Sequence, residues 1–261
     1  VGVYAILRVH GLVFGPDAGP AASLLSSWLL PIGLLTVVVA TVGVLASRDL
    51  RRLLSHLVVL SAGTLTLTLG LESQAATSAA LFYAVNSTLV GGGLFLLADL
   101  IARERGEAQA RLDQAQAVAR PALLGSLFFV GAVGVAGLPP LAGFAAKLYI
   151  LQSAFVHTAA GWVYAVVLVS GLLVIVALSR AGSALFWRTG ETMAPATITG
   201  SAPAAATTLL LSGTAALMML GGPAMSFTQA AAAQLADRSA YVDAVMENRS
   251  IVSPSSGDGG Q

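Results

Sequence analysis

The chain has 261 residues, 56% of them hydrophobic and only 10% charged, with a formal net charge of +1. That is more apolar than a soluble domain of this size can hide in one core, so lipid is the solvent for most of the chain. The near-zero charge leaves no electrostatic footprint for nucleic acid, and the absence of cysteine excludes disulfides, thiolate metal sites and a nucleophilic cysteine.

The chain opens on Val1 inside an apolar stretch, with no charged leader region and no small-residue cleavage site, and so reads as part of a longer protein whose upstream segment is missing. A helix needs about 20 residues to cross roughly 30 Å of hydrocarbon. Residues 2–14 give a partial run of this kind, and 27–47, 54–71, 77–101, 160–187 and 202–222 give full spans within a bundle over residues 1–225. Residues 121–157 differ, because Gly137, Pro139, Pro140 and Gly143 interrupt them. Proline removes a backbone donor and clashes with the preceding turn, so a helix must break there.

Arginines decide between one broken span and two. Arg48, Arg51 and Arg52 occupy one connection and Arg103, Arg105, Arg111 and Arg120 the next but one, while the connections between carry only Asp17 and Glu72. A single crossing by 121–157 leaves Arg188 on the same side as those clusters, as the positive-inside tendency requires. The expectation is therefore an all-α, polytopic membrane bundle with one discontinuous helix. Residues 102–120 form a polar cytoplasmic connection, 226–248 an amphipathic surface helix, and 249–261 a disordered tail.

Lys147 is the only lysine among thirteen basic side chains, the other twelve being arginine, and it lies four residues beyond Gly143 in an apolar run. Unwound backbone at membrane depth is tolerated only where protein buries it or a wet cavity meets it. Half-helix ends of this type handle ions in transporters. Arginine stays charged, whereas a desolvated ammonium can release its proton, so Lys147 is a candidate proton station. The other reading is a side chain that snorkels to the interface.

Further polar residues cluster in FYAVNST, residues 82–88. Asn86, Ser87 and Thr88, with Tyr83 one turn earlier, could hold a chain of water, or serve helix-to-helix packing beside Gly91, Gly92 and Gly93. Ser61, Thr64, Thr66 and Thr68 admit the same two readings. His56 follows the arginine connection as a proton entry or an interfacial imidazole. Asp99 and Arg103 are spaced as a helix-end ion pair. The chain has no phosphate loop, dinucleotide fingerprint, HExxH or GxSxG motif. Three scattered histidines make no metal site, so neither a cofactor nor covalent catalysis is expected.

The stretch GLPPLAGFAAKLYILQSAF resembles the broken-helix segment of the antiporter-like membrane subunits shared by respiratory complex I and the multisubunit Na+/H+ antiporters of the Mrp, Pha and Mnh type. ALFYAVNSTLVGGGLFLLADLI, DLRRLLSHLVVLSAGTL and GPAMSFTQAAAAQLADRSAYVDAVM resemble the D-type subunit of those antiporters, in the same order along the chain. VGVYAILRV resembles the segment that follows another functional lysine there. The resemblance implies the second of two inverted repeats. It places a protonatable half-channel lysine at Lys147, after a turn formed by Gly137, Pro139, Pro140, Gly143 and Phe144. Asn86 falls where the family pattern has His before Ser-Thr, so an amide stands where a relay group is usual. Val90 falls where complex I relatives carry a further lysine, and His56 where an aromatic is usual.

The resemblance further implies a transporter subunit, not an enzyme, in a bacterial inner membrane. It would exchange cytoplasmic Na+, or K+ or Li+, for H+ at the expense of the proton motive force, together with other subunits of a membrane complex. The alternatives are a proton-pumping subunit of complex I or a membrane hydrogenase, and a non-conducting assembly scaffold.

Overall fold

A computed structural model describes residues 2, 5, 26–114, 116–187 and 201–237. Eight α-helices make up most of them: α1 (Ser26–Ala46), α2 (Leu50–Leu69), α3 (Gln74–Glu104), α4 (Pro121–Ala136), α5 (Ala142–Ala154), α6 (Ala160–Phe186), α7 (Ser201–Met219) and α8 (Gly221–Ala236). Five of them, α1, α2, α3, α6 and α7, are long and apolar enough to cross a membrane. Trp28, Leu35, Val42, Trp162 and Leu172 project outward from α1 and α6, which in a membrane protein is the face that lipid covers.

Short local signals start the helices. Asp49 caps α2 by accepting from the amides of Arg51 and Arg52 at 2.9 and 3.2 Å, and Ser73 caps α3 by accepting from Ala76 N–H at 3.0 Å. α1 and α2 form a close hairpin, in which a Cβ on Gly33 would stand 2.3 Å from the Leu67 nitrogen. Small residues at such a crossing let two backbones approach where lipid supplies no hydrophobic drive for association. α3 is the central element, in contact with α2, α4, α5, α7 and α8. Its buried Leu94, Leu97, Leu100 and Ile101 anchor the core.

At one end of the bundle the connection between α3 and α4 is folded tightly. Arg105 is completely buried, and its guanidinium donates to the carbonyls of Gln109, Arg111, Gln114 and Gln116. The Glu104 carboxylate, also buried, accepts from the Arg120 guanidinium at 2.6 Å. Leu50 N–H donates to Ala110 O and Leu112 N–H to Arg48 O, both at 2.9 Å, which ties this loop to the α1–α2 connection. Burial lowers the pKa of Arg105 from its ordinary value, partly offset by nearby Asp113.

Two differences from the sequence reading stand out. The last long run ends at Met219, and a new helix starts at Gly221, earlier than the surface helix expected over 226–248. Its described part lies along α3 and buries Thr228 and Ala232, because an alanine-rich helix offers a flat surface for close contact. Most of the 2–14 run, Arg188 and the residues from 238 on, including the 249–261 tail, lie outside the described residues.

Candidate functional site

α4 ends at Gly137, whose φ of 76° is left-handed and suits a residue without a Cβ. The amides of Gly137 and Leu138 both donate to Val133 O at 3.1 Å. The later carbonyls of α4 therefore lose the donors that a continuing helix would supply. Pro139 and Pro140, joined by a cis bond, sit exposed in the turn, and α5 starts at Ala142. Phe144, in the first turn of α5, is exposed, and its amide donates to Leu141 O at 3.0 Å.

Lys147 lies in the second turn of α5 and its side chain folds back over the break. A Cβ on Gly137 would stand 2.6 Å from Lys147 Cδ, and one on Gly171 of α6 would stand 3.5 Å from Nζ. Nζ donates to Ala136 O at 2.7 Å. The ammonium thus sits on the final carbonyl of α4, where aligned peptide dipoles concentrate negative potential. Among the described residues no carboxylate pairs with it.

Lys147 also borders a cavity of about 330 Å³ between α2, α3 and the break. Asn86, Tyr83, Ser87 and Thr88 line it from α3 and Ser61 from α2. Asn86 is only 3% exposed, and its Oδ1 has no hydrogen-bond partner. A buried amide oxygen normally finds a donor, and this one has none among the described residues. Tyr83 OH donates to Ser61 Oγ at 3.3 Å, beside the edge-on contact of Phe82 with Tyr149.

The other polar residues divide between the two readings that the sequence leaves open. Ser87 and Thr88 touch the cavity, but both hydroxyls donate to Ala84 O of their own helix, at 3.1 and 2.8 Å. Thr64, Thr66 and Thr68 likewise donate to the carbonyl one turn back. His56 does not reach the cavity. Its Nδ1–H donates to Arg52 O at 2.8 Å, and the ring packs against Gly43 of α1, on the opposite side of α2 from Ser61. Asp99 bonds Arg103 at 2.6 Å as the spacing implies, and also Arg51 at 3.0 Å.

Arg180 was not visible as a site. It lies within α6 and donates through Nη2 to Leu45 O at 2.5 Å and Ser47 O at 3.3 Å, capping the C-terminal end of α1. The only sequence signal was a charged residue inside the apolar run 160–187, and its partner is 135 positions away in the chain.

A helical membrane bundle in which two helices meet at a Gly- and Pro-containing turn, with an ammonium seated on the end of one of them and a cavity beside it, is an arrangement of the kind that membrane ion transporters use. Comparison with known proteins makes this specific. Residues 1–176 match the family described as NADH:quinone oxidoreductase/Mrp antiporter, transmembrane, and the chain belongs to that family. It is 35% identical over 263 residues to the D-type subunit of a probable K(+)/H(+) antiporter of Rhizobium meliloti, covering 90% of this chain and 48% of that protein. It is 30% identical over 251 residues to the D-type subunit of the Na(+)/H(+) antiporter of Bacillus subtilis, covering 95% and 49%. Among solved structures, a chain of the Mrp complex from Dietzia sp. DQ12-45-1b has the same fold, with a TM-score of 0.76 at 24% identity over 93% of this chain and 52% of that one. The expected likeness to the D-type subunit is borne out, and the chain spans about half the length of the curated relatives it matches.

Proposed function

We propose that this chain is the proton-conducting part of a D-type subunit in a multisubunit antiporter of a bacterial inner membrane, exchanging cytoplasmic Na+ or K+ for H+. Lys147 is the proton carrier. The observation that carries this reading is its position: an ammonium with no carboxylate partner among the described residues, seated on Ala136 O and bordering a cavity with polar groups. When protonated, Lys147 is held by the negative end of α4. When it gives up its proton that attraction falls to an ordinary hydrogen bond, and the side chain is free to move. Asn86 cannot titrate, so the connection past it runs through water that its amide and the Tyr83–Ser61 pair hold.

On this reading α4 and α5 together make one membrane crossing. Arg120, at the start of α4, bonds Glu104 at the end of α3, while Arg180, near the end of α6, bonds the end of α1. Since α1 and α3 end at the same tied connection, α6 returns to the face from which α4 departs. That supports a single discontinuous span over 121–157.

The test is cation-induced proton release in inside-out vesicles that carry the whole complex. Lys147→Ala and Lys147→Arg are both expected to reduce it at least about 100-fold at equal assembly, the scale of losing a proton-transferring group. Retained transport in Lys147→Arg would show that a fixed charge suffices and overturn the assignment. The family also includes NADH:quinone oxidoreductase subunits, and a redox-driven pump is the second reading. Proton release on adding Na+ or K+ without an electron donor decides for antiport.

A further inference from the structure

We infer that the slot between α4 and α6 holds one acyl chain of a phospholipid, from the leaflet on the face that carries the tied connection. This rests on the reading of α4 and α5 as one membrane crossing, and not on Lys147 as proton carrier.

The two helices run side by side in opposite directions. A Cβ on Gly125 would stand 3.8 Å from the Phe186 ring, one on Gly182 would stand 2.9 Å from the Phe128 ring, and one on Gly171 would stand 3.9 Å from Ala136 O. Rising numbers on α4 thus meet falling numbers on α6 along the whole of α4. Phe128 and Phe186 meet between the helices with ring centroids 5.8 Å apart. Gly125 and Ala132 take up little room, and a cavity of about 590 Å³ extends from Pro121 to Leu138.

The slot begins at headgroup level and runs inward. Pro121 follows Arg120, which bonds Glu104 at the tied connection. Trp187, at the same end and 79% exposed, has the apolar ring and the N–H that favour a membrane interface. From Pro121 to Ala136 the helix rises roughly 22 Å, which reaches past the middle of a hydrocarbon core of roughly 30 Å. A path from the surface to the middle is the path of an acyl chain.

Width selects the occupant. Spread over roughly 22 Å of helix, the volume has a mean cross-section of roughly 27 Å². A helix with its side chains is about 10–12 Å across, or roughly 80–110 Å², and cannot enter. A polymethylene chain whose neighbours touch at about 3.5–4.0 Å needs roughly 20 Å² or less, and can.

The walls suit hydrocarbon. No charged side chain borders the slot, and Ser126, one of its two serines, gives its hydroxyl to Leu123 O at 2.9 Å. Among the described residues only α4, the turn after it and the end of α6 line the slot, and Phe129 and Val176 beside it are exposed. Moving a chain from lipid into the slot brings no hydrophobic drive. It is retained by contact with walls that otherwise lack partner atoms. Its far end lies on Ala136, whose carbonyl holds Lys147 Nζ at 2.7 Å, so the chain closes the α6 side of the break.

The test is photocrosslinking in membranes that carry the whole complex, with phospholipids bearing a diazirine either near the glycerol or near the chain terminus. Labelled residues are read by mass spectrometry. Glycerol-end probes should label Pro121 to Gly125 and Trp187, and terminal probes Ala132 to Leu138, each at least about tenfold above Leu35 and Val42 on the exposed face of α1. Ala132→Phe fills the slot and should lower both signals at least about tenfold while the α1 signal stays. Gly125→Leu is the second filling variant, with co-purification of the other subunits as the check on assembly. Labelling in the native slot no stronger than on α1, or unchanged in the filling variants, would overturn the proposal. So would a disulfide between Phe129→Cys and a neighbouring subunit, since a partner helix would then cover the slot. Terminal probes at Pro121 with glycerol-end probes at Leu138 would overturn the single crossing and the chain's entry together. Proton release does not enter this readout, so the proton-carrier reading stands or falls separately.

Discussion

Lys147 and Arg105 are both cations held by backbone carbonyls, and they are held in opposite ways. Arg105 has no exposed surface, and its guanidinium is spread over four carbonyls of the loop that surrounds it. Its planar fork stays charged and is matched by fixed acceptors, which makes it a staple. Lys147 is half-buried, uses one of its three donors on one carbonyl, and borders open space. A charge whose donors are saturated holds a structure together, whereas a charge with donors to spare can leave. What separates the two cations is the number of carbonyls that hold each, four for Arg105 and one for Lys147.

The largest effect should come from removing the staple. Arg105→Ala leaves four carbonyls without their donor, and a loss of about 3 kcal/mol or more is expected, read as a lower thermal midpoint and poor assembly of the complex. Arg105→Lys should recover only part of this, since one ammonium cannot reach four diverging oxygens. Lys147→Ala, by contrast, should assemble at near-native yield while losing transport. If Lys147→Ala also failed to assemble, the distinction between the two cations would collapse.

A smaller effect is expected at the break itself. Gly137→Ala introduces a Cβ at a left-handed φ and 2.6 Å from Lys147 Cδ. A cost of about 1–2 kcal/mol in stability should accompany a larger loss of transport, because the lysine must leave its place on Ala136. Stability lost with transport unchanged would separate the lysine's position from its work.

The smallest effect concerns the surface of the tied loop. The guanidinium of Arg111 holds the Asp113 carboxyl below its usual range. A depressed carboxyl pKa stabilises the fold above the unfolded value, and the contribution is lost as pH falls through the folded value. Asp113→Asn should therefore remove a contribution that exists at neutral pH and vanishes in acid. The pair is exposed, so the thermal midpoint should fall by no more than about 1 °C.

Much of the architecture was legible because lipid imposes simple rules. Long apolar runs had to become helices, and the Gly and Pro residues between 137 and 143 had to end one. Lys147 was conspicuous as a lone lysine in such a run, and Asn86 shares its cavity. The side chains around them were less legible. His56 and Ser61 lie on one helix five residues apart, and only the rotation of α2 sends one toward α1 and the other into the cavity. Ser87 and Thr88 looked available for water, but a helical hydroxyl most easily bonds the carbonyl a turn behind. The Arg105 staple could not be read at all, since its acceptors are backbone oxygens that no residue type announces.

The ties between the Arg105 loop and the α1–α2 connection bind the bundle along one edge, as pages are bound at a spine. Helices α1 to α4 cannot part there without breaking the Leu50–Ala110 and Leu112–Arg48 bonds together with the Glu104–Arg120 pair. Under the proposed function, motion that admits ions is then expected to be small and internal. On that reading it falls to the Lys147 side chain and the short turn between α4 and α5, rather than to whole helices swinging apart.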